Sequence, residues 1–194
     1  MPPFTVLHVC MGNICRSPMA ERLLVARFDE AAGPDLLYSH GAGVGPWHAG
    51  EPMDRNAARE LRQRAADGSG FQARHLRPDL IEGSDLVLTA TIEQAQHVAH
   101  AVPGSAARTF VLGEFGRHLP LADLSALPPF QPDPDAVQKR GVALVAAVDA
   151  ARAGADPLPS DEIDDPYAQP QLVFAATADS IEAPIRALVR ALAG

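Results

Sequence analysis

Phe4-Thr5-Val6-Leu7-His8-Val9-Cys10, running straight into Met11-Gly12-Asn13-Ile14-Cys15-Arg16-Ser17-Pro18, is the stretch that decides how this 194-residue chain is read. Phe4 to Val9 is apolar and β-branched enough for a buried strand. Ser17-Pro18 ahead of Met19-Ala20-Glu21-Arg22-Leu23-Leu24 reads as an N-cap, a first-turn proline and a helix. A strand, a tight glycine-containing loop and a helix start therefore follow in order. Unpaired N–H groups and the positive dipole end make a helix N-terminus a favourable place for an oxyanion and for a thiolate.

Cys10 and Arg16 stand at the two ends of that loop. A free thiol has a pKa of about 8.5, which falls to roughly 3.5–7.5 at a helix N-terminus or beside a cation, so Cys10 is the candidate nucleophile. Arg16 offers a planar fork that grips two oxygens of a phosphate and follows charge as it develops on them. The loop amides from Met11, Gly12, Asn13, Ile14 and Cys15 to Arg16 supply further donors. Gly12 removes a Cβ where the main chain curls, and the Asn13 amide holds left-handed turns open. Ser17 is placed to donate its hydroxyl to the Cys10 sulfur. Taken alone, a cysteine ending a strand is a small core residue and an arginine six positions later is surface charge. The strand before, the Ser-Pro and helix after, and Gly and Asn within favour the phosphate-binding reading.

From Val9 to Pro18 the run resembles the signature of the low-molecular-weight protein tyrosine phosphatase family: valine-cysteine, a Gly-Asn pair, a second cysteine, Arg, Ser and Pro. The resemblance implies a fold of three layers, α/β/α, with a four-stranded parallel sheet in flavodoxin-like order and the phosphate loop after the first strand. It also implies an acid, an Asp directly before a Pro late in the chain and followed by an aromatic, which Asp165-Pro166-Tyr167 supplies. Read without the family, Ile163-Asp164-Asp165-Pro166 is an acidic turn. With it, Asp165 protonates the leaving aryl oxide and then activates water, and Asp164 lies one residue too early.

By the same resemblance Trp47, in the glycine- and proline-rich stretch Ser39 to Asp54, and Tyr167 wall a cleft in which a phospho-aryl ring stacks. The competing reading packs Trp47 onto the domain edge. Ser39 matches the family serine that supports the loop asparagine, here Asn13. Two departures stand out: Phe71-Gln72-Ala73-Arg74 lacks the histidine that often precedes the Ala-Arg pair, and Ala168-Gln169-Pro170 replaces the usual second aromatic or glycine. Ile14 gives the loop an apolar wall suited to tyrosine, where relatives acting on phosphoarginine resemble this loop with a threonine.

Only two cysteines exist, Cys10 and Cys15, with four residues between them inside one loop, so neither a disulfide framework nor a zinc set is expected. Cys15 is a candidate partner for Cys10 on oxidation; the alternative is a thiol that packs under the loop. A thiolate nucleophile implies a reducing, cytoplasmic setting, and no signal-peptide pattern opens the chain. No metal or other cofactor is expected. His97 and His100 share a helix face without a carboxylate or cysteine companion.

The composition is 47% hydrophobic and the formal net charge −8, which suits one compact domain and disfavours nucleic acid; no apolar run reaches the ~18 residues that span a bilayer. Strands are expected at Phe4–Val9, Leu36–Ser39, Asp85–Ala90 and Arg108–Leu112. Helices are expected at Pro18–Asp29, Asp54–Ala66, Ile92–Ala101, Asp135–Ala153 and Ser180–Leu192, the last with Pro184 early in it. That alternation gives a parallel sheet with helices on both faces and a site beyond the strand C-termini. Residues 119–160, beginning with a five-proline run from Leu119 to Pro134, read as an insertion into a single phosphatase domain. The expected partners are a phosphotyrosine protein or small aryl phosphate, with inorganic phosphate as product. The rivals are arsenate reduction on the same fold, whose thioredoxin-coupled forms need further cysteines, and a phosphate-binding module without catalysis.

Overall fold

The computed structural model describes residues 2–194. In chain order the elements are β1 (Phe4–Cys10), α1 (Arg16–Ala32), β2 (Leu37–Gly43), α2 (Arg55–Gln63), α3 (Pro78–Glu82), β3 (Leu86–Thr89), α4 (Ile92–Ala101), β4 (Thr109–Val111), α5 (Leu112–His118), α6 (Pro134–Arg152) and α7 (Gln171–Ala193). The four strands are all parallel, in the order β2-β1-β3-β4. The chain steps from β1 to one side and then crosses to the other, so the C-terminal end of β1 lies at the switch point where α/β sheets bind ligands.

Period-two alternation splits β1 between two cores. Phe4, Val6 and Cys10 face a large cluster with Leu23 and Phe28 of α1, Phe115 of α5, Leu144 and Val148 of α6 and Ile181 and Leu188 of α7. Leu7 and Val9 face a smaller cluster with Ile81 of α3, Val98 of α4 and Val87 of β3. Every residue of β1 is buried, as a central parallel strand requires.

Several boundaries differ from the sequence expectation, each for a local reason. α1 begins at Arg16 with Cys15 in the N-cap place, two residues before the expected Ser17, because the Ser17 hydroxyl is committed to Cys10 and Asn13. β2 continues through Gly41, Ala42 and Gly43, paired with His8, Val9 and Cys10; those glycines read as loop but permit close packing. α7 starts at Gln171, and Pro184 lies near its middle, against Gly116 of α5. Within 119–160, α6 is a wall of the core: Val137, Leu144 and Val148 are buried and the Phe4 ring lies directly under Gly141. Arg140 donates to Pro128 O and, at 2.8 Å, to Ala191 O, fastening the proline-rich stretch to the end of α7.

Candidate active site

The loop between β1 and α1 owes its shape to where its carbonyls go. Cys10 O accepts from Val44 N at 3.0 Å, Met11 O from Gly45 N at 2.8 Å and Ile14 O from Asp54 N at 2.8 Å. These bonds tie the carbonyls of Cys10, Met11 and Ile14 to the segment after β2, and backbone held in this way leaves its amides as the groups available to an anion. Asn13 takes the left-handed conformation expected of it, φ 55°. Its side chain locks the turn, donating to Ser17 Oγ at 2.8 Å and accepting from Arg74 N at 2.9 Å.

Cys10 Sγ lies 2.9 Å from Ser17 Oγ at the floor of this cradle. Arg16 is buried; Nη1 donates to Ile163 O at 3.1 Å and Nη2 to Asp165 Oδ2 at 2.5 Å, while Nε has no partner among the described residues. A guanidinium so placed keeps donors for an incoming oxyanion. Asp165 Oδ1 accepts from Tyr167 N at 3.1 Å, which fixes the carboxylate at the mouth. Asp165, not its neighbour Asp164, lines the cleft.

The cleft measures about 210 Å³ and is bounded by the loop residues Cys10, Met11, Gly12, Ile14, Cys15 and Arg16 and, at the rim, by Trp47, His48, Asp165 and Tyr167. Trp47 is 67% exposed and Tyr167 53% exposed, the ring of Trp47 lying across Gly45 where any side chain would overlap it. The expected aromatic walls are thus both at the opening. Cys15 is a buried free thiol, pushed far above its ordinary pKa by burial first and then by the charges of Asp54, Cys10 and Asp165, so it is held protonated.

One expected contact is corrected. Ser39 Oγ lies 3.1 Å from His8 Nε2, and the neighbour of Asn13 on β2 is instead Gly41, where an added Cβ would stand 2.6 Å from Asn13 Nδ2. The strand register sets Gly41 opposite His8, two residues beyond Ser39, so the serine cannot reach the loop. His48 and Glu51 had no role in the sequence reading. His48 Nδ1 pairs with Glu51 Oε2 at 2.7 Å, its ring tilts against Tyr167 at 6.0 Å, and it occupies the space a Cβ on Gly12 would need, 2.8 Å from Cδ2. A side chain on Gly12 would therefore have to displace the His48 ring, and the glycine is not placed there for a positive φ. Behind the loop, Glu21 is buried and its carboxyl is raised to about 7 by burial, against Arg22 and Arg74. His97 and His100 are exposed on α4. No group of three metal-ligating side chains is found among the described residues.

Comparison with known proteins places the chain in a family. The family model described as low molecular weight phosphotyrosine protein phosphatase matches residues 5–149, a range that holds the loop but ends before Asp165. The low molecular weight protein-tyrosine-phosphatase Ptp of Acinetobacter johnsonii is 34% identical over 116 residues, 59% of this chain and 77% of the relative. The solved low molecular weight protein tyrosine phosphatase from T. tengcongensis superposes with a TM-score of 0.67 at 26% identity, covering 96% of this chain and 97% of its own. Vibrio vulnificus Wzb, solved with benzylphosphonate, gives 0.67 at 19% identity over 97% and 98% of the two chains, a likeness of fold. With the phosphate loop inside the matched range and the sheet order the same as expected for it, the chain belongs to the low molecular weight phosphotyrosine protein phosphatase family.

Proposed function

We propose that this enzyme hydrolyses aryl phosphate monoesters, phosphotyrosine first among them, through a phosphocysteine on Cys10. The Cys10 sulfur attacks phosphorus as the aryl oxygen–phosphorus bond breaks, and Asp165 gives its proton to the departing oxide. Water then attacks the phosphocysteine as Asp165 takes a proton from it, and inorganic phosphate leaves with the sulfur–phosphorus bond broken and the Cys10 thiolate restored. Arg16 and the loop amides bear the charge on the equatorial oxygens in both halves. Ser17 stabilises the sulfur as nucleophile and as leaving group. Trp47 and Tyr167 flank the ring, with Ile14 as the apolar floor beside it.

The observation that carries this reading is the meeting of Cys10, Arg16 and Asp165 in one cleft, with Arg16 Nη2 and Asp165 Oδ2 only 2.5 Å apart although 149 residues separate them in sequence. The chain is read as one phosphatase domain elaborated at 119–160. Its two free thiols fit a cytoplasmic setting, and no helix among the described residues is long and apolar enough to cross a membrane. The test is a panel of phosphotyrosine, phosphoserine, phosphoarginine and arsenate with the native enzyme and Cys10→Ser. Hydrolysis of phosphotyrosine alone, lost in Cys10→Ser, is expected; arsenate reduction or a preference for phosphoarginine would overturn the reading.

A further inference from the structure

Under the loop, on the side away from the cleft, the polar groups of the protein do not close among themselves. His8 is 1% exposed, two residues before Cys10 in β1 and on the same face of the strand. Its Nε2 bonds Ser39 Oγ, but Nδ1 is buried without a partner among the described residues. Burial, and after it the nearby His40, lowers the ring to about 3, so the imidazole is neutral at physiological pH. A neutral ring still carries one polar function on each nitrogen, and cores rarely leave such a group unmet.

The ring borders a gap whose other walls include Arg16, Ser17, Thr89, Leu112 and Ile163, all buried. About 10 Å³ of it is open to the centre of a water molecule, which is the room one water takes. Two hydroxyl-bearing residues, Ser17 and Thr89, are among its walls. The Thr89 hydroxyl donates toward Thr91 O at 3.0 Å and Phe110 O at 3.4 Å, which leaves its lone pairs free. Ser17 Oγ accepts from Asn13 Nδ2 at 2.8 Å and lies 2.9 Å from the Cys10 sulfur.

We propose that a single buried water is a fixed part of this site, donating one hydrogen to His8 Nδ1 and the other to Ser17 Oγ beside Thr89, and that His8 is through it a positioning residue for the Ser17–Cys10 pair. A hydroxyl has one hydrogen and two lone pairs. Asn13 fills one lone pair; with the water filling the other, the only place left for the Ser17 hydrogen is the sulfur. The water thus makes Ser17 an obligate donor to the nucleophile, and Nε2–H of His8, turned to Ser39, keeps the ring in the tautomer that accepts.

The kinetic part of the inference rests on the phosphatase reading; the structural part does not. A crystal structure that resolves waters, with and without inorganic phosphate, is expected to show a peak within hydrogen-bond reach of both His8 Nδ1 and Ser17 Oγ. An empty gap overturns the proposal whatever the enzyme's activity. Three variants separate positioning from packing, because Asn places a polar atom where Nδ1 stands, Gln places one where Nε2 stands, and Leu places none. His8→Asn is expected to keep the water and turn over an aryl phosphate within about twofold of the native enzyme. His8→Gln and His8→Leu are expected to lose the water and on the order of tenfold in kcat, the worth of one hydrogen bond to a charged group, with KM little changed. Rescue by Gln in place of Asn would assign the role to the Ser39 bond, and three equal losses tracking lowered unfolding temperatures would make His8 a packing residue; either overturns the proposal. If the native enzyme hydrolyses no aryl phosphate, the phosphatase reading fails and the density in the gap still decides the water.

Discussion

Gly43 closes β2 with its α-carbon pressed against the phosphate loop, and Gly43→Ala is the substitution that tests how tightly the scaffold sets the site. A methyl group there would stand 2.7 Å from Gly12 C, 2.9 Å from Asn13 N and 2.9 Å from Met11 O, all backbone atoms, whereas ordinary contact begins at 3.4 Å. Relief requires the loop to retreat by about 0.7 Å, the difference between those two distances, and no side-chain rotation can substitute for it. Overpacking of this kind costs about 1–3 kcal/mol in stability, which lowers the unfolding temperature of a domain this size by several degrees without unfolding it. Displacement of catalytic groups by about 1 Å costs on the order of 10²-fold in rate. Gly43→Ala is therefore expected to lose roughly 10- to 100-fold in kcat on an aryl phosphate while circular dichroism reports a folded chain. Gly104→Ala, where a Cβ meets open space, is the control and should be neutral. Native kcat in folded Gly43→Ala would refute the claim that β2 sets the loop.

Three further outcomes follow from the same geometry. Arg16→Lys removes the planar fork and the bond to Ile163 O, and should cost at least about 10² in kcat/KM, measured on p-nitrophenyl phosphate. Asp165→Asn should slow phenyl phosphate far more than p-nitrophenyl phosphate, since only the poorer leaving group needs a proton; equal slowing would remove Asp165 from its role. Stability should fall between pH 6.5 and 4.5. The unfolded chain binds protons on His8 and His40 near 6.5 that the folded chain, with these rings at about 3 and about 4, refuses. Glu21, at about 7 when folded and 4.5 when unfolded, acts with the opposite sign and favours the folded state at the lower pH. Two protons against one leave a net loss of about 1.4 kcal/mol per pH unit on acidification, readable in urea midpoints at pH 6.5 and 5; a flat or rising profile on acidification would contradict it.

The part of the site that is legible in the sequence is the part whose chemistry is local. Strand, cradle and helix start are contiguous from Phe4 to Leu24, so their order and the roles open to Cys10 and Arg16 can be read residue by residue. Asp165 is 149 residues from Arg16 and becomes visible only by resemblance, since an acidic turn has no signature of its own. The Ser39 expectation failed because a serine near a glycine pair does not reveal register; pairing of Gly41 with His8 decides which residue meets Asn13. His48 and Glu51 escaped notice because their value depends on the segment after β2 folding back over Gly12, although the three-residue spacing that allows their pairing is present in the sequence. Glycines also concealed the end of β2, where the missing Cβ serves contact with the loop and not flexibility. Pro184 suggested a late start for α7, yet the helix runs through it because Gly116 of α5 leaves room for the ring.

The most direct test of a sulfur nucleophile in an oxyanion cradle is to quench the enzyme in acid during turnover of an aryl phosphate and locate the phosphoryl group by mass spectrometry. A phosphoryl group on Cys10, more abundant in Asp165→Asn if water attack is slowed, and absent in Cys10→Ser, is the expected result. Turnover with Cys10 unmodified, or hydrolysis that survives in Cys10→Ser, would contradict the account.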